Sequence, residues 1–178
     1  MKILTALQVR LTDGEVARIG AKGTQNLEAY MKVLQARIPF YTITKEGFAQ
    51  ARRLCEEALA IDPDYAAAYV YLGSTHFMDV ILGSSTSPKE SMKLAFECLT
   101  KAKSLDDSYA AAHSILGFLY VMKKQYDKGI AECRQAIAVE PNSAIAHSWM
   151  SIVLTASGNH EEAVQPAEQA LRLDPLSR

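Results

Sequence analysis

Residues 112–141 read AHSILGFLYVMKKQYDKGIAECRQAIAVEP, and the pattern of this stretch recurs along the chain about every 34 residues. Its Leu116-Gly117 pair has a counterpart at Leu72-Gly73, and its Pro141 has one at Pro63 and another at Pro175. The four units that result from this alignment are 32–65, 66–109, 110–143 and 144–177. Three units have 34 positions, and the second carries an insertion of 10. A fixed period of this length indicates a solenoid built from one repeated supersecondary unit.

Three columns of the alignment hold mostly small residues. One column contains only alanine, at Ala58, Ala102, Ala136 and Ala170. The other two columns read Ala51, Ala95, Gly129, Ala163 and Pro39, Gly73, Gly117, Ser151. Small residues let two helices approach closely, where a longer side chain overpacks at a cost of roughly 1–3 kcal/mol. The columns therefore favour repeated helical hairpins over an irregular bundle of alanine-rich helices.

The third unit resembles the tetratricopeptide repeat (TPR). The residues that carry the resemblance are His113-x2-Leu116-Gly117-x2-Tyr120, Gly129-x3-Cys133-x2-Ala136 and Pro141. The resemblance covers residues 32–177 and weakens in unit one, where Pro39 replaces the small glycine and Thr42 replaces an aromatic residue. It implies an all-α, α-α superhelical solenoid of about four helix-turn-helix units plus N-terminal helices. Proteins with such repeats are usually binding scaffolds and rarely enzymes.

The sequence predicts two parts, an N-terminal amphipathic helix and linker at 1–25 and a TPR array at 26–178. Ile3, Leu4, Leu7 and Leu11 have helical spacing. Within unit two, Gly83 is a good helix stop, and Ser87-Pro88 is a good helix start. Both helices of this unit are therefore predicted to be lengthened, with a protruding corner between them. We expect the apolar residues at 80–82 to cover a neighbouring surface.

Composition and charge exclude several classes of function. The net charge of −1 over 178 residues argues against nucleic acid as the main partner. There is no run of 18 apolar residues for a membrane span, and the first ten residues are too polar for a secretory signal. The three cysteines are odd in number and form no CxxC motif. These features predict a cytoplasmic protein whose thiols are reduced and unpaired.

No catalytic motif is recognisable. The chain lacks phosphate-binding glycine loops and the GxSxG and HExxH patterns. His113 and His147 share one repeat position, but two imidazoles need further ligands to hold a metal, so a half-buried structural role is favoured. Glu56, Glu57 and similar carboxylates fit a solvated helix face better than an acid–base pair. The sequence predicts no enzyme activity, no cofactor and no metal.

In TPR arrays the first helix of each unit lines a concave groove. The alignment places nine apolar or aromatic residues at groove-facing positions: Val70, Tyr71, Phe77, Met78, Ile115, Phe118, Met122, Trp149 and Ile152. Only Arg37 could contribute to a clamp for a peptide carboxylate. The predicted groove therefore suits an apolar or amphipathic segment of a partner protein. The alternative occupant is the chain itself, through residues 2–11 or through the corner at 79–86.

The C-terminal end suggests a second contact. Repeat arrays normally finish with a helix whose outer face is polar. Here no such helix follows Pro175, so Val164, Ala167 and Leu171 are predicted to be partly bare. A homodimer formed through this end or through the groove is the runner-up function.

Three segments carry a further resemblance: ILTALQVRLTDGE at 3–15, NLEAY at 26–30 and AIDPDYAAAY at 60–69. They are similar to the C-terminal TPR arm of bacterial class III adenylate or guanylate cyclases and related regulators. In those proteins a catalytic or DNA-binding domain precedes the repeats, and nothing in this chain matches a cyclase domain. The resemblance implies a regulatory module that is part of a longer signalling protein.

Overall fold

The computed structural model describes residues 23–175, in which there are eight α-helices and no strand. The helices in chain order are α1 (Leu27–Phe40), α2 (Lys45–Ile61), α3 (Ala66–Ile81), α4 (Pro88–Leu105), α5 (Ala110–Met122), α6 (Tyr126–Val139), α7 (Ala144–Ala156) and α8 (His160–Leu173). The predicted all-α solenoid is confirmed. The amphipathic helix expected at residues 2–11 lies outside the described residues.

The eight helices pack as four hairpins, α1 with α2, α3 with α4, α5 with α6 and α7 with α8. The second helix of each hairpin also contacts the first helix of the next, and the first helices stack on one another in the order α1, α3, α5, α7. Each unit therefore packs mainly against its neighbours, as in other solenoids. The predicted units 66–109, 110–143 and 144–177 each enclose one hairpin, whereas α1 begins at Leu27, before the predicted start of unit one at 32.

The small-residue columns lie where the two helices of a hairpin are closest. A Cβ atom added to Gly73 would stand 2.8 Å from Leu99 Cγ, and one added to Gly117 would stand 2.5 Å from Cys133 Sγ. Real Cβ atoms essentially never make contacts this short. The Leu-Gly pair therefore marks the contact between α3 and α4 and again between α5 and α6.

Polar side chains cap three of the helix starts, and the one at α7 is Ser143, whose Oγ accepts from the N–H of Ala146 at 3.3 Å. The Asn26 side chain accepts hydrogen bonds from the backbone N–H groups of Glu28 and Ala29, at 2.9 and 3.1 Å. Thr44 Oγ1 accepts one from the N–H of Gly47 at 3.0 Å. Such caps satisfy amide groups that have no partner within the helix. Ser87 stands at the N-cap of α4 as expected, but its side chain makes no capping hydrogen bond.

The last turn of α1 contains a proline. The helix continues to Phe40 and buries Pro39. A proline at this point removes one backbone hydrogen bond and leaves the following turn free to form. The Pro39 carbonyl accepts hydrogen bonds from the N–H of Thr42 at 3.2 Å and from its hydroxyl at 2.7 Å.

The insertion in unit two forms a corner that is folded over Asp79. The carbonyl of Asp79 accepts from the N–H groups of Ser84 and Ser85 at 2.8 and 3.0 Å, and its carboxylate accepts from the Ser84 hydroxyl at 2.8 Å. The other carboxylate oxygen lies 2.7 Å from Arg52 Nη1 of α2, an ion pair without hydrogen-bond geometry. The corner is thus fixed to unit one. Contrary to expectation, the apolar residues Ile81 and Leu82 remain about half exposed.

The largest buried side chains lie along the first helices and the helices that pack on them, and they include Phe77, Leu99, Leu116, Val153 and Leu154. These residues belong to two core clusters, and the half-buried Trp149 packs against both. No helix within residues 23–175 combines the length and the apolarity that crossing a membrane requires.

Candidate protein-binding surface

Three aromatic rings from consecutive first helices meet at the centre of the predicted groove. The ring centroids of Phe77 and Phe118 are 5.7 Å apart, those of Phe77 and Trp149 are 5.6 Å apart, and those of Phe118 and Trp149 are 5.4 Å apart. All three pairs are edge-to-face, which is a favoured geometry for aromatic rings. The repeat thus brings Phe77, Phe118 and Trp149 into one aromatic triad that joins α3, α5 and α7.

Burial divides the predicted groove residues into two sets. Val70, Phe77 and Ile115 are buried in the core, so their side chains are covered in this structure. The periodicity that aligns these positions also makes neighbouring first helices pack on each other, and the side chains between two helices are covered by that contact. Phe118 and Trp149 are half-buried, whereas Met122 is 63 % exposed and Ile152 is 45 % exposed. Met78 and Tyr71 are half-buried as well.

Tyr71 lies apart from the aromatic triad. Its ring packs edge-to-face on Phe40 of α1, with centroids 5.3 Å apart. Tyr71 also lines a cavity of about 300 Å³ together with Tyr30, Tyr109 and Arg37. Burial raises the pKa of the Tyr71 phenol to about 12, so it stays protonated and able to donate a hydrogen bond at neutral pH. The sequence missed this group because its tyrosines come from α1, α3 and the turn before α5.

At the C-terminal end, the two predicted contact sites meet. Ile152 of α7 lines a cavity of about 250 Å³ with Ala167 and Leu171 of α8. Val164 and Leu171 are each 54 % exposed, and Ala167 is half-buried. The expected bare apolar residues are therefore present on α8. Ala167 and Leu171 lie next to Ile152, so this end continues the side of α7 on which the groove is predicted.

The insertion creates a cavity of about 530 Å³ that the sequence did not predict. It lies between the end of α3, the first half of α4 and the end of α5, and its apolar lining includes Val80, Met92, Phe96 and Leu119. In unit two the helices have 16 and 18 residues, whereas the helices of unit three have 13 and 14. The longer hairpin extends past α5 and leaves this space uncovered. The length of the insertion was the only sequence signal for it.

The buried histidine His113 connects three helices and a turn. Its Nδ1 lies 2.7 Å from a carboxylate oxygen of Glu132 on α6, and its Nε2 lies 2.7 Å from the carbonyl oxygen of Asp107. Both neighbours are acceptors, so this arrangement favours the protonated ring, in which both nitrogens donate. Lys103 of α4 donates to the other oxygen of Glu132 at 2.6 Å. This network holds unit two against unit three at a turn where Asp107 replaces the repeat proline.

The same arrangement shifts both partners' pKa values. The hydrogen bond to Glu132 raises the pKa of His113 against the opposing effect of burial, and the Asp107 carbonyl adds to the rise. Burial alone would raise the pKa of Glu132, but the hydrogen bonds from His113 and Lys103 lower it on balance. The sequence predicted that both histidines are half-buried structural residues, whereas His113 is fully buried. His147 Nε2 donates to the carbonyl of Pro141 at 2.9 Å, which is the equivalent bond one unit later.

We predict that the His113–Glu132 pair makes stability depend on pH. Because the folded pKa of His113 is raised, its contribution is complete below the unfolded pKa of about 6.5 and is lost as pH rises through the folded value. His113→Gln should lower the free energy of unfolding by about 1–3 kcal/mol at pH 6, since it leaves buried groups unsatisfied. The difference from wild type should shrink at pH 9. Urea unfolding at both pH values measures it.

Glu132→Gln is the matched control for this prediction, because it removes the charge that stabilises the imidazolium and keeps the side-chain shape. It should flatten the same part of the pH profile. A difference between wild type and His113→Gln that stays constant from pH 6 to pH 9 contradicts the protonated pair.

The three cysteines are buried or half-buried and have the properties of structural residues. Cys55, Cys98 and Cys133 are free thiols, and burial raises their pKa values to about 12, 11 and 12. They are therefore protonated at neutral pH and weakly nucleophilic. Among residues 23–175, no three His, Cys, Asp or Glu side chains are grouped so that they could hold a metal ion.

The comparisons with known proteins agree with this architecture. Residues 119–178 match the family model described as a tetratricopeptide repeat. The fold is that of a TPR solenoid, so the predicted repeat is confirmed.

Two curated relatives are named as an adenylate cyclase and a transcriptional regulator. The chain is 30% identical over 126 residues to a putative adenylate cyclase 3 of Rhizobium meliloti, covering 71% of the chain and 22% of the relative. It is 25% identical over 150 residues to the transcriptional regulator HilA of Salmonella typhimurium, covering 84% of the chain and 27% of the relative. The chain thus spans about a quarter of the length of these relatives. Both names fall within the group of cyclases and regulators that the sequence resembles.

Two solved structures illustrate the fold. A thermophilic TPR protein of Thermus thermophilus, TTC0263, has a TM-score of 0.68 at 20% identity, with 92% of this chain and 82% of that one covered. The second TPR of Spaghetti (RPAP3), bound to the HSP90 peptide SRMEEVD, has a TM-score of 0.50 at 22% identity, with 61% and 92% covered. At these identities the likeness concerns the fold alone.

Proposed function

We propose that this chain is the regulatory TPR module of a bacterial signalling protein and that it binds an apolar or amphipathic protein segment along its groove. A TPR fold supports a protein–protein interaction scaffold. The observation that carries the proposal is the set of accessible apolar side chains at the predicted groove positions of α5 and α7. Phe118 and Trp149 are half-buried, and Met122 and Ile152 are exposed. Side chains of this kind are common anchors of helix-in-groove binding.

The signalling context is supported by the names of the relatives, an adenylate cyclase and a transcriptional regulator. RPAP3 is a TPR protein that binds an acidic peptide, which supports a peptide ligand in general terms. Arg37 is the one basic residue predicted for the groove here, so we propose an apolar contact rather than a carboxylate clamp. We propose a binding role in the cytoplasm, with no catalytic step and no cofactor.

The groove proposal is tested with peptides, and Trp149 provides the signal because it is the one tryptophan in the chain. Sixteen-residue peptides selected from a random displayed library on the wild-type chain should shift the Trp149 emission on binding. Ile152→Glu should weaken these peptides about ten-fold or more, because burial of one apolar side chain contributes roughly 1.5–3 kcal/mol. The matched control is Ile38→Glu, an isoleucine on α1 that is more exposed than Ile152. Peptides that bind both variants like wild type contradict the proposal.

Homo-oligomerisation is the second candidate function, and the half-exposed Val164 and Leu171 on α8 favour it. The same titration distinguishes the two functions when the peptide is replaced by a copy of the chain that carries Trp149→Phe and so adds no tryptophan emission. If the groove binds a foreign segment, the peptide changes the Trp149 emission and the added chain does not. If the chain self-associates, the added chain changes the emission, the peptide does not, and sedimentation shows a rise in mass.

A further inference from the structure

The cavity at the insertion corner has an apolar interior and a charged rim. Its lining comes from three elements, with Val80 at the end of α3, Met92 and Phe96 on α4, and Leu119 at the end of α5. Its volume of about 530 Å³ is in the range of binding cavities and can hold several side-chain groups. It lies beyond the end of the shorter α5 hairpin. The aromatic triad is absent from its lining, which does include the predicted groove residue Met122.

The rim is dominated by lysines. Lys89, Lys93 and Lys123 line the opening together with a single carboxylate, Glu97. Lys93 is already shared between Glu90, at 3.5 Å, and Glu97, at 4.0 Å. Among the ion pairs of residues 23–175, none involves Lys89 or Lys123. On a chain whose net charge is −1, the rim is therefore a local site of positive charge.

One of these two lysines is held in place by aromatic rings. Lys123 Nζ lies 3.2 Å from the centre of the Phe96 ring, and Phe96 packs edge-to-face on Tyr120 at 5.4 Å. Lys128 lies on the far side, 5.7 Å from the Tyr120 ring centre. A cation over a ring is attracted by about 0.5–1 kcal/mol at an exposed site. The positive charge of Lys123 is thus positioned at the edge of an apolar wall.

We propose that this cavity binds a segment of a partner protein that carries one bulky apolar side chain flanked by aspartate or glutamate. The apolar side chain would enter between Met92, Phe96 and Leu119, and the carboxylates would face Lys89 and Lys123. Charge selects this occupant over residues 1–22 of the same chain. That segment has four basic and two acidic residues, so it carries the same sign of charge as the rim. The inference rests on the protein-binding role proposed above and adds a second surface to it.

The test uses the same random library of sixteen-residue peptides on the whole chain. We expect one class of selected peptides to contain a bulky apolar residue with at least two acidic residues within one helical turn. In fluorescence anisotropy, Lys89→Glu with Lys123→Glu should weaken this class ten-fold or more, while Ile152→Glu leaves it unchanged. Lys45→Glu is the matched control, because Lys45 is also an exposed lysine in the first turn of a helix.

A second variant keeps the test informative if the double charge reversal disturbs folding. Met92→Trp fills the cavity and leaves both lysines in place, and it should also block this peptide class. Peptides without an acidic bias, or with equal affinity for wild type and for both variants, overturn the inference. If every selected peptide is sensitive only to Ile152→Glu, the groove is supported and the cavity is overturned. If every selected peptide is sensitive only to the cavity variants, the cavity is supported and the groove is overturned. A wild-type dimer that the double charge reversal dissociates also overturns the inference, since the occupant is then a second copy.

Discussion

Replacing Phe77 by alanine should lower the free energy of unfolding by about 3–5 kcal/mol, the usual cost of removing a buried aromatic side chain. Phe77 is 0 % exposed and packs edge-to-face on both Phe118 and Trp149. Those rings belong to α5 and α7, so the cavity would open where three units meet. The variant should also shift the emission of Trp149, because one wall of its environment is lost. Urea unfolding followed by circular dichroism and by fluorescence measures both effects.

Two further variants show whether the cost comes from burial. Phe118→Ala removes a ring from the same triad, but Phe118 is only half-buried, so the loss should be smaller. Tyr41→Ala removes a ring that is 63 % exposed and should cost little. If Phe77→Ala is as mild as Tyr41→Ala, Phe77 is not the centre of the stack, and the first helices are held together elsewhere.

The difference between Phe77 and Ile152 shows how far a repeat sequence predicts a binding surface. Periodicity gives the side of the helix on which a residue lies. It placed Phe77, Phe118 and Trp149 on the same side of the array, and in the structure their rings are in contact. It does not give the distance between neighbouring helices. That distance decides whether a side chain such as Phe77 is covered by the next unit or whether one such as Ile152 stays accessible.

Contacts that depend on one unit only were not predictable from the repeat. Glu132 precedes the repeated core residue Cys133, and nothing in the repeat pattern assigns it a role. In the structure its carboxylate forms hydrogen bonds with the buried His113, which lies on another helix, and with Lys103 of the preceding unit. The cavity beside Phe96 likewise follows from a difference in helix length between two units. Deviations from the repeat therefore mark the places where this chain has features of its own.

The small-residue columns were the most accurate part of the sequence analysis, and Gly117→Val tests them. A Cβ atom at residue 117 would lie 2.5 Å from Cys133 Sγ and 3.0 Å from the carbonyl oxygen of Gly129. The sulfur can move by rotation, but the backbone carbonyl on α6 cannot yield without moving the helix. We expect a loss of stability of about 1–3 kcal/mol or more from overpacking. The expected loss already allows for a small stabilising effect. Glycine within a helix is itself unfavourable by roughly 0.5–1 kcal/mol, and the substitution removes that cost.

Ala111→Val is the control for helix propensity, because it introduces the same side chain at an exposed position of α5. It should change stability by less than about 1 kcal/mol. Unit four provides a second control, because Ser151 occupies the repeat position of Gly117. The Ser151 hydroxyl donates a hydrogen bond to the carbonyl of Ala163 at 2.9 Å. Ser151→Gly should therefore destabilise modestly by losing that bond. If thermal unfolding shows Gly117→Val to be as stable as Ala111→Val, the glycine does not set the distance between α5 and α6, and the column reflects ancestry of the repeat rather than packing.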